Sequence, residues 1–186
     1  MDYMKLSKLW LFLLPLLFAG NVYSQKITNP LPARNLHVAD SVSGTDSVPA
    51  AYSFEAKLKN LVIVRLKYQT DILEGLNEAV KQHQIKNAVI LSGIGSVYQY
   101  HVHSVDNAKF PSRNVFNLEK KPSDLVSVSG YIIEGRVHAH IGVSDGKTSA
   151  GGHLEPETKV FTFCIITIGI LEDDISLDRL DDKTWR

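Results

Sequence analysis

In the run Glu134-Gly135-Arg136-Val137-His138-Ala139-His140-Ile141-Gly142-Val143, the apolar residues Val137, Ala139, Ile141 and Val143 alternate with His138, His140 and Gly142. A period of two is that of a β-strand with one face in the core and the other turned outward. The outward face then carries His138 and His140 side by side. Ser144-Asp145-Gly146-Lys147 has the Asp-Gly chemistry of a hairpin turn. Beyond it, Gly151-Gly152-His153-Leu154 returns a third histidine, behind two glycines that let the backbone come close. Three neutral imidazoles converging from two strands are a metal-ligating arrangement, and Zn²⁺ with an open fourth position is its commonest occupant. A solvated, polar strand face is the competing reading, and the pattern alone leaves both open.

The flanking sequence extends the strand pattern. Leu125 to Ile133 reads as a strand with Gly130 inside it, entered by the turn Lys120-Lys121-Pro122-Ser123-Asp124. Val115 to Leu118 is a short strand behind the polar loop Asp106–Arg113. After the Glu155-Pro156 bend, Lys159 to Leu171 is the longest strand candidate. It is apolar on both faces, so it belongs in the middle of a sheet or in a subunit interface. Cys164 lies within it as a small buried hydrophobe. The acidic tail Glu172–Asp182 is expected to be solvated.

Toward the N-terminus, Leu61 to Leu66 is a β-branched apolar strand. Asp71 stands three residues before Glu74 like the start of a capping box. Ile72, Leu73, Leu76, Ala79 and Val80 follow at helical spacing, which predicts one amphipathic helix to about His83. Ala88–Leu91 is a short buried strand that runs into Gly93-Ile94-Gly95. A phosphate loop would need a helix next, and the following residues, Val97 to Val105, read as a strand; the glycines are read as a bend or bulge. That strand holds a second pair, His101 and His103, read as a polar face because no third ligand is visible nearby. Its alternative is a second half-site, or partners facing the first cluster. One helix followed by many strands on short turns gives an α+β domain with a mostly antiparallel sheet.

The chain has 186 residues, 44% of them hydrophobic and 22% charged, with no net charge. That is enough for one domain with a core. It offers no basic excess for nucleic acid. Lys5 and Lys8, the apolar run Leu9–Ala19 and the small residues before Gln25 have the order of a secretory signal peptide over 1–24, cleaved after Ser24. The apolar run is short for a bilayer span, and no other segment is long and apolar enough for one. The remaining 162 residues carry 18 basic and 19 acidic side chains, a net charge of −1. Residues 25–54, with Pro30, Pro32 and Pro49, read as a linker or extended arm, and 55–180 as the domain.

Ile90-Leu91-Ser92-Gly93-Ile94-Gly95-Ser96-Val97, then Leu125 to Gly130, then His138-Ala139-His140, then Gly151-Gly152-His153-Leu154, together resemble the plants-and-prokaryotes conserved (PPC) domain in its stand-alone prokaryotic form. The resemblance covers about residues 56 to 171. It implies an α+β fold, a homotrimer, and a zinc-type site on His138, His140 and His153. Family members are often labelled DNA-binding. The plant members take their DNA contact from a separate AT-hook with an Arg-Gly-Arg core, which this sequence lacks. The expectation is an exported protein, periplasmic or secreted, that binds a divalent metal and acts as a binding or scaffold module. The alternatives are a metal-dependent enzyme of hydrolase type, with Glu134, Glu155 and Glu157 as general-base candidates, and a DNA-binding protein.

Overall fold

The computed structural model describes residues 49–109 and 111–183. They form β1 (Leu58–Leu66), α1 (Ile72–Gln82), β2 (Ala88–Val105), β3 (Asn114–Glu119), β4 (Ser123–Ile133), β5 (Arg136–Ser144), β6 (Ser149–Leu154), β7 (Lys159–Leu171) and a 3-10 turn, Asp178–Asp181. The signal peptide read over 1–24, and the arm as far as residue 48, lie outside the described residues. No helix among the described residues is long and apolar enough to cross a membrane.

The seven strands make one sheet in the order β1-β7-β2-β4-β5-β6, with β3 beside β2, and every pairing is antiparallel. β1 and β2 both lie antiparallel to β7, so they run parallel to each other with α1 in the connection between them, a split βαβ unit. The long β2 changes partners along its length. Over Ala88–Gln99 it lies between β7 and β4; over Tyr100–Val105 it meets β3 and β6. Because β6 pairs with β5 and β5 with β4, strands β2, β4, β5 and β6 close into a ring. The two strands expected over 88–91 and 97–105 are therefore one. The expected bend survives as register shifts between Ile90 and Ser92 and between Gly95 and Val97.

Asp71 caps α1. Its carboxylate accepts from the Glu74 N–H at 3.1 Å and from the Glu157 N–H at 2.6 Å, and Lys159 Nζ stands 3.3 Å away. One buried side chain thus caps the helix and ties it to the β6–β7 connection. Ile72, Leu76, Ala79 and Val80 turn inward from the helix. They meet a core that includes Ile132, Val160, Cys164, Ile166 and Ile168. Each fully buried Leu or Ile here contributes about 1.5–3 kcal/mol.

The apolar character of β7 on both faces has two outcomes. Val160, Cys164, Ile166 and Ile168 fill the core, while Phe161 and Phe163 remain 45% and 36% exposed on the outer face. Leu61 and Ile63 of β1, Leu91 and Ile94 of β2 and Val126 of β4 are exposed as well. The acidic tail is not solvated throughout, as had been expected. Leu177 packs against Ile133 and Leu171, with Ile175 beside them, and Arg136 donates to Asp181 at 2.8 Å. Ile175 and Leu177 supply the apolar anchors that the tail's charge conceals.

Candidate metal centre

The tight turn Glu134-Gly135 sets the geometry of the site. Both residues have positive φ, 49° and 77°, the conformation of a two-residue type I′ hairpin. It pairs Ile133 with Arg136 and so fixes Tyr131 opposite His138 and Ser129 opposite His140. Ala139 and Ile141 go into the core, leaving both histidines on the outer face. The next hairpin sets His153 opposite His140.

The three rings converge. Their centroids are 4.8 Å apart for His138 and His153, 5.3 Å for His140 and His153, and 5.8 Å for His138 and His140. One ring nitrogen from each lies within 4.8 Å of the others. His140 is the most open of the three, and His138 and His153 are half-buried. A tetrahedral ion with 2.0–2.1 Å bonds to nitrogen sets its donors about 3.3 Å apart, so side-chain adjustment alone brings these donors to bonding distance. Partial burial, followed by the neighbouring imidazoles of His138 and His103, pushes the His140 pKa below the ordinary value. Partial burial, then His103 and His138, does the same to His153. Both rings are therefore neutral near pH 7, the form a metal requires.

The reading of His101 and His103 as one polar face holds for only one of them. His101 turns its Nδ1 to the Pro156 carbonyl at 2.8 Å. His103 joins the cluster: it lies directly opposite His153 in the β2–β6 pairing, with ring centroids 4.5 Å apart. The glycines before His153 make this possible, because a Cβ on Gly152 would collide with the His103 carbonyl oxygen. Gly-Gly signalled a close approach, but nothing local in the sequence said what was approached. Of the three glutamates considered as bases, only Glu155 reaches the cluster, 2.5 Å from His103 Nδ1. Glu134 accepts from Asn87 and pairs with Lys86, and Glu157 faces Gln99. Cys164 takes no part, since burial pushes its thiol up to about 12.

The histidines line an open cleft of about 430 Å³ whose other walls are Ser104, Val105, Ser112 and Asn114, with Asp181 and Lys183 from the tail. The cleft admits a small ligand, and its donor set can polarise one through a bound cation.

A family model, the Plants and Prokaryotes Conserved (PCC) domain, matches residues 53–172. No curated protein matches the chain. Among solved structures the fold is similar to that of a plant- and prokaryote-conserved (PPC) protein from Pyrococcus horikoshii, at 21% identity and TM-score 0.56 over 73% of this chain and 94% of that one. It is also similar to a metal-containing protein from Archaeoglobus fulgidus, at 24% identity and TM-score 0.58 over 66% and 86% of the two chains. A third, from Bacteroides thetaiotaomicron, is one for which DNA binding has been suggested; it shares 20% identity and TM-score 0.53 over 62% and 82%. At these identities the likeness is one of fold.

Proposed function

The chain belongs to the Plants and Prokaryotes Conserved domain family, and from that premise we propose that it is an exported, trimeric module that holds one divalent cation, Zn²⁺ for preference, on His138, His140 and His153. The observation that carries this reading is the convergence of three imidazoles from two paired strands. The metal content of the Archaeoglobus fulgidus relative supports it. Export rests on the charged, apolar and small-residue order of residues 1–24. Self-association rests on the exposed apolar residues Leu61, Ile63, Leu91, Ile94, Phe161 and Phe163 of β1, β2 and β7. Bound there, Zn²⁺ would supply Lewis acidity.

DNA binding, suggested for one relative, fits this chain poorly. A mature charge of −1 provides few cations to displace counterions from phosphate. A metal-dependent hydrolase is the second reading, favoured by the open cleft at the histidines. Calorimetric zinc titration of the mature chain tests the main reading. One site per chain is expected near neutral pH, and His140→Ala should weaken it at least tenfold while the fold persists. Equal binding by both proteins, or none by either, would return the histidines to a polar strand face.

A further inference from the structure

His103 is a fourth imidazole at this centre, and it comes with its own carboxylate. We propose that His103 is the fourth protein donor to the cation and that Glu155 is the residue that aims it. The inference rests on the metal reading above and concerns how that centre is closed.

Three observations carry it. First, His103 and His153 are direct cross-strand partners with ring centroids 4.5 Å apart, and Phe116 stands 5.1 Å from the His103 ring. The ring is held between two neighbours and has little freedom to turn away. Second, Nδ1 of His103 lies 2.5 Å from Oε1 of Glu155, and both side chains are only 21% exposed. A histidine that ligates a metal characteristically gives its other ring N–H to a carboxylate, which fixes the tautomer and strengthens the ligating nitrogen. With Nδ1–H donating to Glu155, the lone pair of His103 sits on Nε2. Third, donor atoms of His103, His153 and Glu155 lie within 4.8 Å of one another, as do those of His138, His140 and His153. His153 belongs to both groups, so the five side chains form one continuous array. The first three donors must draw inward to reach the spacing of about 3.3 Å that a tetrahedral ion requires. His103 approaches the same centre from the His153 side.

The consequence is chemical. Three protein ligands leave a position for water, as in catalytic zinc sites, whereas four close the shell, as in structural ones. A fourth imidazole also removes the bound water that a hydrolase would use. Glu155, acting through His103, then offsets part of the dication's charge without touching it.

Cobalt(II) loading of the mature chain tests this, because its visible absorption reports coordination number and any exchangeable ligand. The wild type should give an intense four-coordinate spectrum that azide leaves unchanged. His103→Ala should bind Co²⁺ at least tenfold more weakly and give a spectrum that azide shifts. Glu155→Gln should weaken binding by roughly 10–100-fold, and His101→Ala, on the same strand face, should do neither. An azide-sensitive wild type overturns the proposal without any variant. So does a folded His103→Ala with wild-type affinity and spectrum. If the wild type binds no Co²⁺, the metal reading itself has failed; if it binds Co²⁺ but ignores His103, only the fourth donor has.

Discussion

At His140 and His153, crowding removes water from the rings and holds both pKa values below the ordinary imidazole value of about 6.5. In the unfolded chain these rings take up protons as pH falls through 6.5, while the folded rings resist. The unfolded state then binds more protons, so their contribution to stability is complete above about 6.5 and declines as pH drops toward the folded values. Chelator-treated protein should therefore show a lower urea midpoint at pH 5.5 than at pH 7.5, and saturating Zn²⁺ should raise the midpoint at the higher pH. Replacing both histidines by glutamine should flatten that dependence; an unchanged slope would mean that other groups cause it. Cys164 makes a separate prediction. With its thiol pushed up to about 12 by burial, it should react with a thiol reagent only as fast as the protein unfolds. Rapid labelling of the native chain would contradict its place in the core. The sequence made His138, His140 and His153 legible because two share a strand and the third follows one hairpin later. His103 was read first as part of a polar face, with a place facing the cluster only as the alternative, because its pairing with His153 joins positions 50 residues apart that no spacing rule connects.

Among the elements, α1 was legible almost to the residue. The Asp71 cap and the period of its apolar positions act locally, and the helix ends at Gln82 with His83 as its C-cap. β7 and β5 were legible for the same reason, since alternation and length are local properties. β2 was not, because its continuity across Ser92–Ser96 depends on pairing with β7 through Ser92–Gly95 and with β4 at Gly95 and Ser96. Two glycines mark where elements touch. Gly130 has φ +148°, and a Cβ there would strike the His138 carbonyl oxygen across the β4–β5 pair. Gly130→Ala should cost more than about 2 kcal/mol in chemical denaturation, strain and collision acting together. Gly152→Val is expected to do something narrower. It forces β6 away from β2 at His103, so cation affinity should fall by more than the thermal midpoint suggests. Affinity at the wild-type level would show that the β2–β6 pairing is irrelevant to the centre.

For the whole molecule, the proposed trimer is argued from the outer face of the sheet. Ile63 is 71% exposed and Phe161 45% exposed, on neighbouring strands. Ile63→Asp together with Phe161→Asp should convert the proposed trimer into a monomer by light scattering, with the helix signal in circular dichroism retained. A wild type that is already monomeric at micromolar concentration would refute the assembly. The strand order carries one more consequence, for timing. β7 is the last strand in the chain, yet it lies between β1 and β2, joining Ile166 to Val64 and Ile168 to Ile90. Until residue 171 is available, β1 has no partner, one edge of β2 is open, and the core lacks Val160, Cys164, Ile166 and Ile168. Pairings this distant in sequence are slow to form, because loop closure must precede the contacts that reward it. A chain truncated before Lys159 should stay unfolded. A nascent chain lacks these pairings until residue 171 emerges, so under the proposed export it would stay threadable while a leader engages a translocation channel.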